Sequence, residues 1–323
     1  MEKTESCRLL WQKREDGGAR LLRIYGVSSH VVVPARIEGH LCMEIAPYCF
    51  AAQARLPDGE GWQEAVMGGE GTFLKELCGN AVEEVWLPDS VRSIGNCAFY
   101  NCKNLKRLHI GSNIFEIGSD AFMNTLSFHR ITLRCAAGEK SGIRKILSQI
   151  SSDMEVWFEC GGVREAALLY PEYYESYDEI APAHLFGRSI TGEGFRARQC
   201  FLDGKVDFAG YDAVFAQACA EETEETLCKM AMNRLRYPFA LGKDAKETYE
   251  EYVKSHIKSL SARLVRKKEL DGLCFLCQKH YLQGAELSLC IQAAAEAGWP
   301  QGAAELLHWQ AAGMEVKKSR YEF

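Results

Sequence analysis

Two cysteines separated by two residues, Cys274 and Cys277, are followed in the sequence by His280 and Cys290. Thiolates and imidazoles at such short spacing are the ligands of structural zinc sites. The two residues between the cysteines are bulky and apolar, and they belong to a run with helical periodicity, whereas a zinc knuckle needs a tight turn that contains glycine. We therefore expect a packed helix without a metal ion. A redox-active pair is also disfavoured, because no strand precedes the motif.

A denser group of reactive side chains lies in the 26 residues that contain Tyr173, Tyr174, Tyr177, Asp178, Glu179, His184, Arg188, Arg196 and Arg198. Tyr, His and Arg side chains together can bind an anionic substrate and polarise it. No recognised catalytic spacing is present, so a linker whose tyrosines pack on the flanking domains is the simpler interpretation. An enzyme that acts on a small anionic substrate at this segment stays as the alternative.

A 23-residue repeat provides the framework that would position a site in the N-terminal half. Nine pairs of residues keep their type or character at this offset: Leu87 and Ile110, Ile94 and Ile117, Gly95 and Gly118, Ala98 and Ala121, Phe99 and Phe122, Asn101 and Asn124, Leu105 and Phe128, Leu108 and Ile131, and Ile110 and Leu133. One such unit cannot bury its apolar face alone, but stacked units share a continuous core. The repeat therefore predicts a solenoid.

The pattern Ile94-Gly95-x-x-Ala98-Phe99-x-x-Cys102-x-x-Leu105 resembles the BspA-like, Treponema-type leucine-rich repeats. The resemblance covers about residues 22–158, including an earlier copy at 33–50, and is interrupted by a Gly-rich insertion near 52–70. It implies a curved β-sheet that binds proteins, in a family that is common on bacterial surfaces.

Strand alternation sorts the side chains of this sheet, since successive residues point to opposite faces. Val85, Leu108, Ile131 and Val156 are expected to face the core. Stacking the strands in register then gives two outward columns, which are Glu84, Arg107, Arg130 and Glu155 in one and Val32, Trp86, His109, Thr132 and Trp157 in the other.

The outward face has two interpretations. In the first it binds a protein partner, because Trp and Arg carry much of the energy of interfaces; the candidate residues are Trp86, Arg107, His109, Arg130, Thr132 and Trp157. In the second it holds ordinary cross-strand ion pairs, and its tryptophans are covered by the insertion or by the second domain. We predict no catalytic, metal-binding or cofactor-binding residue, because no acid, nucleophile or second His recurs beside His109.

Helices are predicted for the C-terminal part. Apolar residues recur at helical spacing from Asp207 onward, and Asp207 and Thr223 are candidate N-caps. Residues 264–314 resemble the helix pairs of ankyrin repeats, on the sequences Ile291-Gln-Ala-Ala-Ala-Glu-Ala-Gly-Trp299 and Ala303-Ala-Glu-Leu-Leu307. We expect an α+β chain with three parts: a leucine-rich-repeat β-solenoid over 1–160, a Tyr- and Gly-containing connector over 161–206, and an all-α helical-repeat domain over 207–323.

Charge and hydropathy limit the class of partner. The chain carries 38 Lys and Arg against 44 Asp and Glu, a net charge of −6, and lacks the clustered basic patch that nucleic-acid binding needs. No segment approaches the roughly 18 apolar residues of a membrane span, and the N-terminus lacks an export signal, so we expect a cytoplasmic protein with reduced cysteines. Two repeat-type segments favour a non-enzymatic scaffold that binds a protein through the outward strand face, the helical repeats or both.

Overall fold

The computed structural model describes residues 6–53, 55, 61–68, 73–180 and 185–319. The chain divides into two compact units, Met1–Glu221 and Glu222–Phe323. The N-terminal region is a β-solenoid of about six turns and the C-terminal region is a run of helices, which confirms the expected α+β class. Among the described residues, none of the helices is both long enough and apolar enough to cross a membrane.

The solenoid unit contains strands and three short or medium helices in the described residues, which are β1 (Cys7–Lys13), β2 (Ala19–Gly26), β3 (His30–Val32), β4 (Arg36–Ile37), β5 (His40–Ile45), β6 (Trp62–Met67), β7 (Lys75–Glu76), β8 (Glu84–Trp86), β9 (Ser93–Ile94), β10 (Arg107–Gly111), β11 (Glu116–Ile117), β12 (Arg130–Arg134), α1 (Ile143–Leu147), β13 (Met154–Cys160), β14 (Val163–Tyr170), β15 (Tyr174–Ile180), β16 (Leu185–Thr191), α2 (Gly194–Ala197), β17 (Phe201–Leu202), β18 (Lys205–Val206) and α3 (Phe208–Glu221). The helical unit contains α4 (Glu224–Arg236), α5 (Lys243–Ser255), α6 (Ile257–Lys267), α7 (Leu270–Gln278), α8 (Gly284–Glu296) and α9 (Pro300–Ser319).

Two sheets form the walls of the solenoid. The front sheet has the strand order β14-β13-β12-β10-β8-β3, parallel from β3 to β13 and closed by the antiparallel β14. The back sheet has the order β11-β9-β5-β2-β1-β6, with β4 paired to β5 and β7 paired to β2. The turns that contain β3, β8 and β10 each contribute one strand to each sheet, whereas β12 is followed by α1 in place of a back strand. The predicted inward residues Val85, Leu108, Ile131 and Val156 are fully buried between the two sheets, which confirms the alternation.

Stacked phenylalanines connect successive turns. The ring of Phe99 lies 4.9 Å from Phe50 and 5.3 Å from Phe122, with both ring pairs nearly parallel. The backbone follows the same stack, because the amide of Phe50 donates to Ala98 O and the amide of Phe99 donates to Ala121 O, each at 2.8 Å. Each turn therefore satisfies the backbone of its neighbour and packs an aromatic ring on it, as expected of stacked units that share a core.

The glycines of the repeat lie where consecutive turns come closest. A Cβ at Gly95 would approach Pro47 N to 2.3 Å, and a Cβ at Gly118 would approach Asn96 N to the same distance. Real Cβ atoms do not come so close to backbone, so only glycine permits the turns to stack at this spacing. The Ile-Gly pair of the repeat is thus a packing requirement.

The first turn is closed by residues outside the repeat pattern. Buried Arg23 on β2 donates from Nη1 to the carbonyl oxygens of Tyr48, Cys49 and Ala51 at 2.7 to 3.0 Å, and from Nε to Glu76. In later turns the equivalent carbonyl groups accept from the preceding turn. Arg23 therefore takes the place of a missing turn at the N-terminal end of the solenoid.

The insertion near 52–70 also contributes to this end of the solenoid. Its residues 62–67 form β6, which pairs antiparallel with β1 and extends the back sheet. Within the insertion, residues 54, 56–60 and 69–70 lie outside the described residues.

Strand β14 and helix α3 close the C-terminal end. Tyr211 on α3 donates from its hydroxyl to Leu169 O at 2.6 Å and accepts from Leu169 N at 3.2 Å, so it satisfies both backbone groups of a residue on the last front strand. Phe208 packs its ring 6.2 Å from Phe158. Helix α3 thus belongs to the solenoid unit, although the sequence placed residues from 207 onward in the helical domain. The Asp207 carboxylate accepts from Gly210 N at 3.0 Å, as expected of an N-cap.

Residues 161–206 contain more structure than a connector. They include β14, the two-stranded β15–β16 hairpin, α2 and the β17–β18 hairpin. Buried Arg198 supports this segment, because its guanidinium donates to the backbone carbonyl oxygens of Ile150, Ser152, Pro171 and Gly194 at 2.5 to 3.0 Å. Burial lowers the pKa of Arg198 to about 10, so the side chain is still a cation at neutral pH. One residue therefore holds the loop at Ile150 and Ser152, the end of β14 at Pro171 and the start of α2 at Gly194.

In the helical unit, predicted helix ends agree with the structure. Thr223 caps α4, because its hydroxyl accepts from Thr226 N at 3.2 Å, and Gly298 follows α8 with a φ of 59°, a left-handed conformation that favours glycine. The apolar residues with helical spacing between Tyr249 and Leu264 lie on two helices, α5 and α6, which meet at His256. Cys274 and Cys277 lie in α7, as the apolar pattern predicted.

Replacement of Phe99 by Ala tests the stacked core. The substitution leaves a cavity between two neighbouring rings, so we expect the free energy of unfolding to fall by about 3–5 kcal/mol. Urea denaturation followed by far-UV circular dichroism measures this loss. Phe73→Ala is the control, because Phe73 is 83% exposed. A loss under about 1 kcal/mol for Phe99→Ala would contradict the assignment of the ring to a shared core.

Candidate functional site

The outward surface of the front sheet, called here the front face, carries the candidate residues in the predicted register. Backbone pairing aligns Glu84, Arg107, Arg130 and Glu155 in one column and Val32, Trp86, His109, Thr132 and Trp157 in the next. Both predicted ion pairs are present, between Glu84 and Arg107 and between Arg130 and Glu155. The period of the repeat was therefore sufficient to place these side chains.

Glu84 is the buried anchor of the front face. Its carboxylate accepts from Arg107 Nε at 2.7 Å, from Trp86 Nε1 at 3.0 Å and from His109 Nε2 at 2.8 Å. Burial raises the pKa of Glu84, but the Arg107 guanidinium together with Trp86 and His109 outweighs burial and holds that pKa below its ordinary value. Glu84 is thus ionised at neutral pH, and one carboxylate orients three side chains.

The imidazole of His109 stacks on the indole of Trp86 with ring centroids 3.5 Å apart and planes within 4°. Burial lowers the pKa of His109 more than the nearby Glu84 raises it, so the ring is neutral at pH 7. Because a carboxylate only accepts, Nε2 carries the proton and Nδ1 is an acceptor. Nδ1 is buried and has no hydrogen-bond partner among the described residues.

The second aromatic platform is Trp157, which lies between two guanidinium groups. Arg130 on β12 lies 3.7 Å from the centre of the indole and Arg164 on β14 lies 3.3 Å from it. Ion pairs hold both arginines in place, since Arg130 Nη2 donates to Glu155 and Arg164 Nη2 donates to Glu159, each at 2.8 Å. The guanidinium planes are therefore fixed by stacking and by charge together.

A third column was missed by the sequence reasoning. Arg134 on β12 crosses above Gly111 and donates from Nη2 to Asp89 Oδ1 at 2.6 Å, with its guanidinium carbon 6.0 Å from the Trp86 ring. A Cβ at Gly111 would come within 2.9 Å of Asp89, so the glycine makes room for this contact. The strand alternation that placed the first two columns, continued two residues beyond Thr132 on β12, places Arg134 on the same face. Arg164 follows from no repeat, because it lies on the antiparallel strand β14.

Two of the six candidate residues are corrected by their burial. His109 and Thr132 point outward but are only 8% and 2% exposed, because large neighbouring side chains cover them. Neither offers a contact surface to a partner. Trp86 is 38% exposed and Val32, in the same column, is 67% exposed. The accessible part of the front face is therefore formed by the indole of Trp86, the edge of Trp157 and the arginines.

The side chains that suggested an anionic-substrate site serve separate roles. Arg198 is buried and binds backbone carbonyl groups, as described above. Tyr174 and Tyr177 are 64% and 65% exposed on the β15–β16 hairpin, while Arg188 pairs with Glu175 and Arg196 with Glu193. His184 and the side chain of Asp178 lie outside the part of the chain that the structure describes. The structure brings Arg198 within 5.1 Å of the centre of the Tyr173 ring, but its guanidinium group donates to backbone carbonyl groups.

Of the cysteines that carried the alternative zinc interpretation, Cys277 and Cys290 are buried, and Cys274 is half-buried with its Sγ 3.9 Å from Glu305 Oε1. Burial raises the pKa of Cys277 to about 12, and it also raises the pKa of Cys274 and of Cys290. Among the described residues, no group of three His, Cys, Asp or Glu side chains is arranged to hold a metal ion.

Thiol labelling tests this assignment. Cys160 and Cys219 are exposed, whereas Cys42 and Cys102 are buried with pKa values raised by burial to about 12. We expect maleimide at neutral pH to label the exposed pair first and the buried pair only after unfolding. Mass spectrometry identifies the labelled residues, and native mass spectrometry gives the mass of the folded chain. One equivalent of zinc, or a disulfide, would contradict a purely structural role for the cysteines.

A pH-dependent loss of stability is expected from His109. Below about pH 6.5, the ordinary pKa of an unfolded His, the unfolded chain binds a proton that folded His109 does not, so the free energy of unfolding falls as the pH falls. The variant His109→Phe keeps a ring on Trp86 and cannot titrate. Urea denaturation at about pH 7 and about pH 5.5 should show a smaller loss for this variant than for the wild type. His30→Phe, at an exposed position of β3, is the control; equal losses in wild type and His109→Phe would refute the assignment.

The comparison with known families agrees with this geometry. Residues 73–148 match the family model described as the BspA type leucine rich repeat region, six copies. Comparison with curated proteins and with solved structures found no match. No family match supports the ankyrin resemblance of residues 264–314. The matched segment runs from β7 through α1 and includes Trp86, Arg107 and Arg130. This part of the solenoid is therefore similar to the BspA-type leucine-rich repeats.

Proposed function

We propose that the chain is a non-enzymatic scaffold and that its front face binds a protein partner. The match of residues 73–148 to a leucine-rich repeat family supports a scaffold, because stacked repeats present extended surfaces. The choice of the front face rests on one observation, the fixed orientation of a partly exposed tryptophan. Trp86 is stacked on His109 and bonded to Glu84, yet 38% of it is exposed.

Preorganisation explains why this arrangement favours binding. A partner that buries the accessible part of Trp86 gains the removal of apolar surface from water, and little side-chain freedom is lost because the indole is already held. The same holds for Trp157 between Arg130 and Arg164. Tryptophan and arginine are the residue types that dominate the energy of measured interfaces.

Catalysis is disfavoured by the way the titratable groups are used. His109 and Glu84 form a hydrogen-bonded pair, which is the usual beginning of a general base. The remaining nitrogen of His109, Nδ1, is buried, however, and a substrate proton cannot reach it. The pair therefore orients Trp86 rather than transferring a proton.

We also propose that residues 264–314 form a second interaction region of ankyrin-like helix pairs, as the sequence resemblance implies. Helices α7, α8 and α9 follow one another with short connections in this segment. The exposed side chains of Leu289 and Leu307, on α8 and α9, offer apolar contact area.

Site-specific photocrosslinking tests the front face. Benzoylphenylalanine replaces exposed Val32 in the full chain, which is expressed in its natural host cell and irradiated there. We expect a discrete crosslinked partner at this position and loss of that product when Trp86→Ala is added. Trp62→Ala is the matched control, because Trp62 is 43% exposed on β6 of the back sheet.

Folding of the variants is checked by thermal denaturation. Trp86→Ala should leave the melting temperature within a few degrees of the wild type, since its indole is partly exposed. A product at Val32 that persists in Trp86→Ala, or that is lost equally in Trp62→Ala, would contradict partner binding at the front face.

A further inference from the structure

The central column of the front face places two cations side by side. Arg107 and Arg130 are register partners on adjacent strands β10 and β12, where like charges directly opposite each other are destabilising. Their carboxylate partners lie on the far sides, Glu84 on β8 and Glu155 on β13. In the order acid, base, base, acid, each arginine therefore pairs toward the outside of the column, and no carboxylate of this column lies between the two arginine strands.

Depth separates these charges further. The side chains of Glu84 and Glu155 are 9% and 5% exposed, whereas those of Arg107 and Arg130 are 38% and 24% exposed. The carboxylates are therefore buried beneath the guanidinium groups, which are in contact with solvent. A molecule that approaches the centre of the front face therefore meets positive charge, although the four side chains sum to zero.

The guanidinium groups retain donors for a ligand. Arg107 bonds Glu84 through Nε and Nη2, and Arg130 bonds Glu155 through Nε and Nη2. Nη1 of each arginine has no hydrogen-bond partner among the described residues. Stacking on Trp157 fixes the plane of Arg130. An oriented N–H group of this kind suits a carboxylate, which accepts charge-assisted hydrogen bonds.

We propose that the front face binds an extended acidic segment of a protein partner, with carboxylates on Arg107 and on Arg130 and an apolar side chain on Trp86. The inference rests on the proposed function of this face. The two guanidinium groups lean toward opposite sides of the column, Arg107 toward Glu84 on β8 and Arg130 toward Trp157 on β13, so an extended segment that crosses the strands meets one after the other. The flanking tryptophans favour a peptide over a small anion, because they add apolar contact beside the charge.

Three synthetic peptides of equal length and equal aromatic content test the proposal, with Glu, Gln or Lys at alternate positions. Fluorescence anisotropy measures their binding to the full chain at low salt. We expect the Glu peptide to bind at least tenfold more tightly than the Gln peptide and the Lys peptide to bind least, with the preference reduced by added salt. A single-stranded oligonucleotide of equal charge is the test for a general polyanion site; it should bind more weakly than the Glu peptide.

Variants of the arginine pair locate the site. Arg107→Gln should weaken binding of the Glu peptide at least tenfold. Arg107→Lys keeps a positive charge opposite Glu84 but lacks the planar guanidinium group, so it should weaken binding of this peptide by an intermediate factor. Arg92→Gln is the control, because Arg92 is exposed elsewhere in the solenoid unit. Circular dichroism shows whether each variant folds, and Arg107→Lys preserves the test if Arg107→Gln does not.

The outcomes separate the two proposals. Equal binding of the Glu and Gln peptides, with loss of both in Trp86→Ala, would overturn the acidic partner and leave partner binding at the front face intact. Binding of no peptide, tighter binding of the oligonucleotide, or a Glu-peptide affinity unchanged in both Arg107 variants would also overturn the acidic partner. The photocrosslink at Val32 decides the proposed function independently of peptide charge.

Discussion

The stacking of one turn on the next is the constraint on which the rest of the solenoid depends. Phe50, Phe99 and Phe122 form one continuous aromatic stack, and the backbone amides beside them donate to the following turn. Because turns are joined at this corner, the strands of the front sheet are brought into register at the other side of the core. Displacement of one ring would disturb the alignment of Glu84, Trp86 and their neighbours.

The register in turn explains the electrostatics of the front face. Side chains at the same position of successive repeats become neighbours, so each column of side chains on the sheet corresponds to one position of the repeat. Glu84 lies beside Arg107 and Trp86 beside His109 for this reason alone. A repeat protein can therefore place two cations together, or an indole on an imidazole, through single substitutions within a unit. The orientation of each group follows from its neighbours in the next turn.

The sequence predicted the repeating part of the structure well, because one repeat length determines which residues are neighbours in every pair of successive turns. The stack of Phe99 on Phe122 and both columns of the front face followed from the offset of 23 residues. The burial of His109 and Thr132 did not follow, because it depends on the size and conformation of the side chains around them. Nor did β6 and the closing residue Arg23, since each acts through a contact between distant, non-repeating segments.

Tyr211 covers part of the open edge of the front sheet. An open strand edge is a template on which a further strand, from this chain or another, can assemble. The hydroxyl of Tyr211 occupies both backbone groups of Leu169 on the last front strand, and α3 carries the phenol into that position. At Leu169 the edge of the front sheet is therefore closed to a further strand, and the residue that closes it lies on a helix outside the repeat.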